Sequence, residues 1–420
     1  MLTQAPKGTK DLLPREAYKW HFIENAFAEI CARYSFKEIR TPIFEHTELF
    51  TRGVGDTTDI VQKEMYTWIQ AKRSLTLRPE GTSPVVRSFV ENKIYAEPQP
   101  TKVYYDMSCF RYEKPQSGRL RQFHQFGTEI FGTEDMMSDA EIIGLGYDFL
   151  KELGIKDFEL QINSIGCPEC RKKYREALRE FLANVKETLC DTCQDRYKRN
   201  PMRILDCKSP HCQKKVEGAP AMLDYLCDTC NEAFESLKDN LQAMEIPFTV
   251  NPGIVRGLDY YTKTAFEFVT NTIGAQGTIC GGGRYDNLSE ELGGPPIPGV
   301  GFGMGKERLL LVMEANGIEI PQITEIDIFV AFMGEKPKHE ALSLVHKLRN
   351  MGFKVEIDSL ARNLKGQFKY ADRLKARYTL VIAEDELASG MLTLKEMETS
   401  KQIQVDYSIE SIISAVSKEK

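Results

Sequence analysis

Residues 110–132 read FRYEKPQSGRLRQFHQFGTEIFG, and their reading decides the fold. Aromatic and β-branched residues crowd both ends: Val103 to Tyr105, Phe110 and Tyr112 on one side, Phe123, Phe126, Ile130 and Phe131 on the other. That is strand composition. Lys114 to Gly118 carries Pro, Ser and Gly, the residues that turn a chain. The stretch predicts an antiparallel hairpin. Arg111, Arg119 and Arg121 are set into it, and Gln125 and Glu129 follow on its second strand. Strand side chains alternate, so Gln125 and Glu129 share one face while His124 takes the other. Arginines fixed on a rigid sheet beside an acid and an amide suit a polyphosphate held next to a small cationic or polar ligand. Solvated surface charge is the ordinary alternative for an isolated hairpin, so the rest of the chain has to decide.

At 420 residues the chain has room for two or three cores. Its 42% hydrophobic and 28% charged content is that of a soluble globular protein. No apolar run approaches the ~20 residues that span a bilayer, and the N-terminus lacks a signal-peptide core. The expectation is a cytoplasmic protein without a membrane partner. A formal net charge of -6 argues against non-specific nucleic-acid coating and leaves room for a local basic face. Eleven cysteines without a secretory signal suggest reduced thiols or metal ligands rather than disulfides.

Working outward, Lys7 to Pro14 is a turn-rich arm, and Ala17 to Tyr34 has the apolar spacing of an amphipathic helix. Phe36 to Phe44 reads as a strand interrupted by Pro42, which places it at a sheet edge or a subunit contact. LTLRPEGTSP, residues 75–84, breaks a strand and presents Arg78, Glu80 and Thr82 near a helix start. Thr82 or Ser83 is the expected cap of a helix from Pro84 to Glu91. That leaves Glu80 without a local structural role and suited to hold an ammonium group. A helix over 140–153 and a strand over 158–163 follow.

Composition then shifts. Residues 171–215 hold 13 Lys or Arg against 6 Asp or Glu. Cysteine pairs fall in or beside this stretch: Cys167/Cys170, Cys190/Cys193, Cys207/Cys212 and Cys227/Cys230. This reads as an inserted, helical, basic subdomain over 166–245. Cys190, Cys193, Cys207 and Cys212 have a spacing that permits structural zinc, and the other two pairs permit a second site. The alternative is packing, since Cys227 and Cys230 fall on an apparent helix.

IVRGLDYYTKTAFEF, residues 254–268, presents Arg256, Asp259, Tyr260 and Tyr261 ahead of an alternating strand. TICGGGRYDNL, residues 278–288, has three consecutive glycines that let backbone approach a ligand. GVGFGMGKERLLL, residues 299–311, is a strand with glycines at alternate positions running into a helix that carries Arg308. One bare strand face is a floor on which a flat ring can lie. Beyond Pro321, strands alternate with helices, which predicts a compact α/β domain with a largely parallel core.

Together these stretches resemble the class II aminoacyl-tRNA synthetases, and within them the histidyl-tRNA synthetase family. IRTPIFE resembles the first class motif, the 110–132 hairpin the second and GVGFGMGKERLLL the third. RGLDYYTKTAFEF and GGGRYDNL resemble the two histidine-specific signatures, and the tail resembles an anticodon-binding domain. The resemblance implies an α+β catalytic core on a mostly antiparallel sheet flanked by helices, over 1–165 and 246–322. It also implies the helical insertion at 166–245 and an α/β anticodon-binding domain at 326–420. The implied reaction is ATP-dependent ligation of L-histidine to its tRNA through a histidyl-adenylate. Partners are histidine tRNA, ATP with Mg²⁺ and a second copy of the chain, a homodimer. By resemblance Arg111 and Arg256 are catalytic, holding the α-phosphate and carboxylate, while Phe123 stacks on adenine and Arg308 meets the γ-phosphate. Glu80, Thr82 and Gln125 take the α-ammonium group; Glu129 and Tyr261, with Tyr260 beside them, take the imidazole. Gln116 and Arg119 face the tRNA acceptor end. A regulatory paralogue that keeps the fold without aminoacylation is the main rival, and it is expected to lack both Arg256 and the tail.

Overall fold

The computed structural model describes residues 3–55, 58–205, 207, 209–255, 258–272, 277–321 and 326–417. Arg256, a central expectation above, lies outside these described residues. The chain divides into two compact units, Met1–Ile320 and Pro321–Lys420.

The first unit is built on an eight-stranded sheet. Its strands run in the order Lys37–Glu38, Thr101–Phe110, Gln122–Phe131, Gly299–Gly305, Thr278–Arg284, Thr262–Val269, Glu159–Ser164 and Thr249–Val250. Every pairing is antiparallel except the first and the last, which are parallel. On one face the helices Pro14–Arg33 and Met136–Glu152 bury Ile23, Phe27, Ile142 and Phe149 against Phe126, Phe268 and Phe302. The Met136–Glu152 helix starts where the Asp135 carboxylate accepts the Met137 N–H at 2.8 Å. The buried Lys306 ammonium ties the helix Pro14–Arg33 to the sheet, donating to Glu24 and, at 2.8 Å, to Asp106. The opposite face carries a second cluster around Val85, Phe89, Tyr105, Tyr260 and Tyr285.

The expected strand through Pro42 is broken. Lys37–Glu38 joins the large sheet, whereas Phe44–His46 pairs with Arg73–Leu77 in a separate three-stranded sheet. Pro42 has no N–H for a ladder. Instead the buried Arg78 guanidinium grips the crossing backbone, donating to the carbonyls of Thr41 at 2.8 Å, Pro42 at 3.1 Å and Ser108 at 2.7 Å. Ile43, Phe44 and Ile69 remain exposed around this junction.

The insertion is helical as expected: Pro168–Leu182, Asp191–Arg199, Pro210–Val216 and Asp228–Ala243. The last of these packs Phe234, Leu237 and Leu241 into the main core, while its first turn and the other helices enclose a small cluster of their own.

The second unit has a five-stranded sheet ordered Val355–Ile357, Ile328–Phe332, Tyr378–Ile382, Met391–Glu396 and Gln402–Asp406. Its first three strands are parallel, but the last two add antiparallel, so the sheet is mixed rather than largely parallel. Gln402–Asp406 escapes a hydrophobic reading because it is an edge strand with only Val405 buried.

Candidate active site

The 110–132 hairpin forms with Thr101 opposite Phe131 and Phe110 opposite Gln122. Its loop folds back on itself, because the Gln116 and Arg119 backbones exchange hydrogen bonds of 3.0 and 2.9 Å around a left-handed Gly118. The Lys7 to Pro14 arm docks on its base, where the Gly8 carbonyl accepts the Arg121 N–H at 2.7 Å. Arg121 itself is turned outward onto the Tyr112 ring at 3.9 Å. Arg111 points inward, its Nε donating to the Pro79 carbonyl at 2.8 Å and its guanidinium lying 5.2 Å from the Phe123 ring centre.

Gln122–Phe131 pairs with Gly299–Gly305, and the alternate glycines find their use here. A Cβ on Gly301 would overlap the Glu129 carboxylate, and one on Gly303 would overlap the Gln125 amide. The bare stripe therefore seats two side chains of the neighbouring strand first, rather than serving only as a floor for a ring. Gly303 and Gly305 still border open space. Of the three consecutive glycines, Gly282 and Gly283 are tight packing positions against Phe266 and Tyr261, and Gly281 borders the same space.

That space is a chamber of about 560 Å³. Its wall brings together Glu80, Thr82, Arg111, Arg119, Phe123, Gln125, Tyr260, Tyr261 and Arg308 from four separated stretches. Gln116 sits exposed on the hairpin loop. Glu129 lies fully buried behind the wall rather than on it.

Glu80 has the local role that the sequence did not reveal. Both its oxygens cap the helix Thr82–Glu91, accepting the backbone N–H groups of Thr82 at 2.7 Å and Ser83 at 2.8 Å. Neither Thr82 nor Ser83 caps: the N-cap position is Gly81, which has no side chain to do so. The carboxylate gains from the positive helix end and keeps lone pairs facing the chamber. The Thr82 hydroxyl is thereby released, and it donates to Glu129 at 2.9 Å.

Glu129 is held by three hydroxyls: Thr82, Tyr105 at 3.2 Å and Tyr285. Burial pushes its carboxyl up to about 8, with the hydrogen bonds from Tyr285 and Thr82 opposing and the nearby Glu80 assisting. Tyr261, its expected companion, lies against Tyr260 with ring centres 4.7 Å apart and planes tilted by 41°. Tyr105 and Tyr285 had no expected role. The alternating burial of Thr101–Phe110 turns Tyr105 inward, a period-2 signal legible in the sequence. Tyr285 closes the GGGRY run, and only the tertiary fold brings it to Glu129.

Across the chamber Arg308 donates to the Thr278 carbonyl at 2.6 Å. Burial lowers its affinity for its proton, with the charge of Arg119 assisting and the charges of Glu113 and Glu267 opposing. On the far face of the strand, as expected, His124 turns away from Gln125 and pairs its Nδ1 with Glu307 at 2.8 Å. Cys190, Cys193, Cys207 and Cys212 lie apart from the chamber and gather their sulfurs in one place, as do Cys167, Cys170, Cys227 and Cys230.

The similarity of this chain to known proteins is extensive. Residues 8–309 match the family described as histidyl-tRNA synthetase, and residues 327–419 match the anticodon binding domain. The histidine--tRNA ligase of Caldanaerobacter subterraneus is 56% identical over 406 residues, covering 96% of this chain and 97% of that protein. Its counterpart from Clostridioides difficile is 53% identical over 410 residues, covering 97% and 98%. The crystal structure of the apo histidyl-tRNA synthetase of S. aureus superposes with a TM-score of 0.84 at 39% identity, covering 99% of this chain and 100% of that one. By sequence match over nearly its whole length and by the sheet that carries its chamber, the chain belongs to the histidyl-tRNA synthetase family.

Proposed function

We propose that the chamber between Glu80 and Arg308 is where histidine and ATP meet. The chain is a histidine–tRNA ligase: with ATP it joins L-histidine to its tRNA through a histidyl-adenylate, for translation. In the first step a histidine carboxylate oxygen bonds to the α-phosphorus, the bond to the β-phosphate oxygen breaks, and pyrophosphate leaves. In the second the 3′-terminal hydroxyl of the tRNA takes the acyl group and AMP leaves. No side-chain nucleophile is needed. The protein positions the reactants and offsets phosphate charge.

The observation that carries this assignment is the convergence of Arg111, Arg119 and Arg308 with Glu80, Gln125 and Tyr261 on one chamber. Arg111 holds the α-phosphate and carboxylate, sharing that work with Arg256 by motif. Arg308 serves the γ-phosphate end, and the Phe123 face serves adenine. Mg²⁺ accompanies the ATP; Glu113, Glu267 and Glu307 on the same wall supply hard oxygens of the kind it prefers. Glu80, Thr82 and Gln125 receive the α-ammonium group. Glu129, screened behind Thr82 and Tyr285, receives the imidazole together with Tyr261 and Tyr260. Gln116 and Arg119, at the hairpin loop, meet the acceptor end, and the 326–420 domain reads the anticodon region. Exposed Ile43, Phe44 and Ile69 beside Pro42 form the apolar patch through which two copies pair. No helix among the described residues is long and apolar enough to cross a membrane, which is compatible with work in the cytoplasm.

The test is ATP–pyrophosphate exchange with each amino acid in turn. Exchange that depends on histidine alone is expected. A folded dimer that exchanges with no amino acid would make the chain a regulatory paralogue.

A further inference from the structure

The inserted subdomain holds two clusters of four cysteines that the ligase chemistry does not use. Cys167, Cys170, Cys227 and Cys230 form one, and Cys190, Cys193, Cys207 and Cys212 the other; within each, all four sulfurs lie within 4.8 Å of one another. The spacing of these sulfurs is informative. Sulfurs at about 2.3 Å from one tetrahedral zinc sit about 3.8 Å apart, whereas a disulfide would bring two of them to about 2.0 Å. Here Cys167 lies 3.5 Å from Cys170 and 4.0 Å from Cys227, and Cys190 lies 3.9 Å from Cys207. These are edges of a tetrahedron, not bonds.

The backbone is arranged for thiolates as well. Cys167, Cys190 and Cys227 each occupy the N-cap of a helix, with Cys170, Cys193 and Cys230 in the following turn. Backbone N–H groups donate to sulfur: Cys227 to Cys170 at 3.1 Å and Cys190 to Cys212 at 3.3 Å. Such donors stabilise the charged sulfur that metal binding requires. The packing gives an independent argument. Among the described residues, the buried cluster of this subdomain has twelve members, five of them cysteines: Cys170, Cys193, Cys207, Cys212 and Cys230. Seven remaining side chains are a thin core for an insertion of this size, and small domains with thin cores are ordinarily stapled.

We propose that the insertion is a two-zinc module and that its zinc sites brace the chamber. Each cluster sits beside a hydrogen bond to the 259–261 segment. Four residues beyond Cys167, Arg171 donates to the Tyr261 carbonyl at 3.0 Å. Between Cys193 and Cys207, Asn200 and Arg203 reach Asp259 at 3.3 and 3.1 Å, and Arg196 reaches Asp59 at 2.8 Å. Loading each site displaces the thiol protons and ties together two or three chain segments at once. Without the ions, these arginines lose their footing and the wall carrying Tyr260 and Tyr261 loosens. The proposal stands apart from the ligase assignment, because its readouts are metal content and backbone protection.

The experiment uses the full chain purified under reducing conditions without chelator. Elemental analysis is expected to find about two zinc ions per chain. Cys190→Ser with Cys207→Ser is expected to leave about one, and Cys167→Ser with Cys227→Ser likewise. Cobalt loaded in place of zinc is expected to give the thiolate-to-cobalt absorption of a four-sulfur site. Releasing zinc from the wild type with a thiol-specific mercurial and a chelator is expected to speed amide exchange at residues 258–263 by an order of magnitude, with no change in 326–417. Wild-type protein with less than half an equivalent of zinc, its eight thiols freely titratable or joined as disulfides, would overturn the metal assignment without recourse to any variant. Two zinc ions whose release leaves exchange at 258–263 unchanged would overturn the bracing.

Discussion

Two carboxylates in the first unit, Glu129 and Asp139, are fully buried, and their surroundings are opposite. Asp139 faces the equally buried Arg284, whose Nε lies 3.2 and 3.1 Å from its two oxygens. The rest of the guanidinium is satisfied by the Thr133 carbonyl at 2.8 Å, Ser138 at 2.9 Å and Asp286 at 3.2 Å. Among the described residues, Glu129 has only hydroxyls for partners. A buried charge with a cation and a full set of donors is complete in itself. A buried acid held by hydroxyls alone, and shifted to about 8, is poised to change its protonation when a ligand arrives. One carboxylate belongs to the frame, the other to the site.

The largest effect expected is on the frame. Arg284→Met or Asp139→Ala strands one buried charge and should cost about 3–5 kcal/mol, while Arg284→Met combined with Asp139→Leu should recover most of it. Trp20 and Trp68 are the two tryptophans and both lie in the first unit, so urea unfolding followed by their fluorescence reads this unit. Single variants costing less than about 1 kcal/mol would erase the distinction between the two carboxylates.

Glu129→Gln should do the reverse, sparing the fold and damaging the site. At neutral pH the native carboxyl is largely protonated, and an amide replaces it at equal size. The histidine KM should rise by ~100-fold, the loss of one hydrogen bond to a charged group, while the ATP KM stays within ~3-fold. The pH dependence has a defined sign. The folded carboxyl titrates at about 8 against an ordinary 4.5, so between these values the native state holds a proton that the unfolded chain has given up. Wild-type stability relative to Glu129→Gln should fall as pH rises through that window and level off above it. Imidazole binding should drive the proton out, so calorimetric enthalpies of histidine binding should depend on the ionisation enthalpy of the buffer. A buffer-independent enthalpy would place Glu129 in the frame with Asp139.

Much of this was legible in the sequence, and the exceptions share a cause. The hairpin, the helix expected over 140–153 and found at Met136–Glu152, and the strand expected over 158–163 and found at Glu159–Ser164 follow from local period and turn chemistry. So does the gathering of Arg111, Phe123 and Gln125, because one strand and its loop carry them. Glu80 was misread because an acid just before a helix reads as surplus once Thr82 and Ser83 are present. The competition among three possible caps is settled by geometry alone. Tyr105 and Tyr285 come to Glu129 from 24 and 156 residues away, a convergence that no local pattern encodes. The break at Pro42 was half legible: proline excludes a central strand, but the Arg78 clamp that redirects the chain into a second sheet is tertiary.

The smallest effect tests the seat rather than the carboxylate. A methyl group on Gly301 meets the Glu129 carboxylate and also the Thr128 carbonyl, which is backbone and cannot yield. Gly301→Ala should therefore disturb fold and site together. On Gly303 the methyl group meets the Gln125 side chain, above all its Nε2, the far end of a flexible side chain. Gly303→Ala should fold with nearly native stability and tilt Gln125 away from its place. Gln125 is anchored weakly, its Oε1 accepting from the Cys109 thiol at 3.5 Å, so the displacement is cheap. If Gln125 receives the α-ammonium group, the histidine KM should rise by ~10-fold, about the effect of one misplaced hydrogen bond, with the ATP KM unmoved. Gln125→Ala should reproduce that figure and add nothing to Gly303→Ala in the double variant. Unchanged histidine KM in both would return Gln125 to the frame and leave Glu129 as the single polar contact on this strand that the site requires.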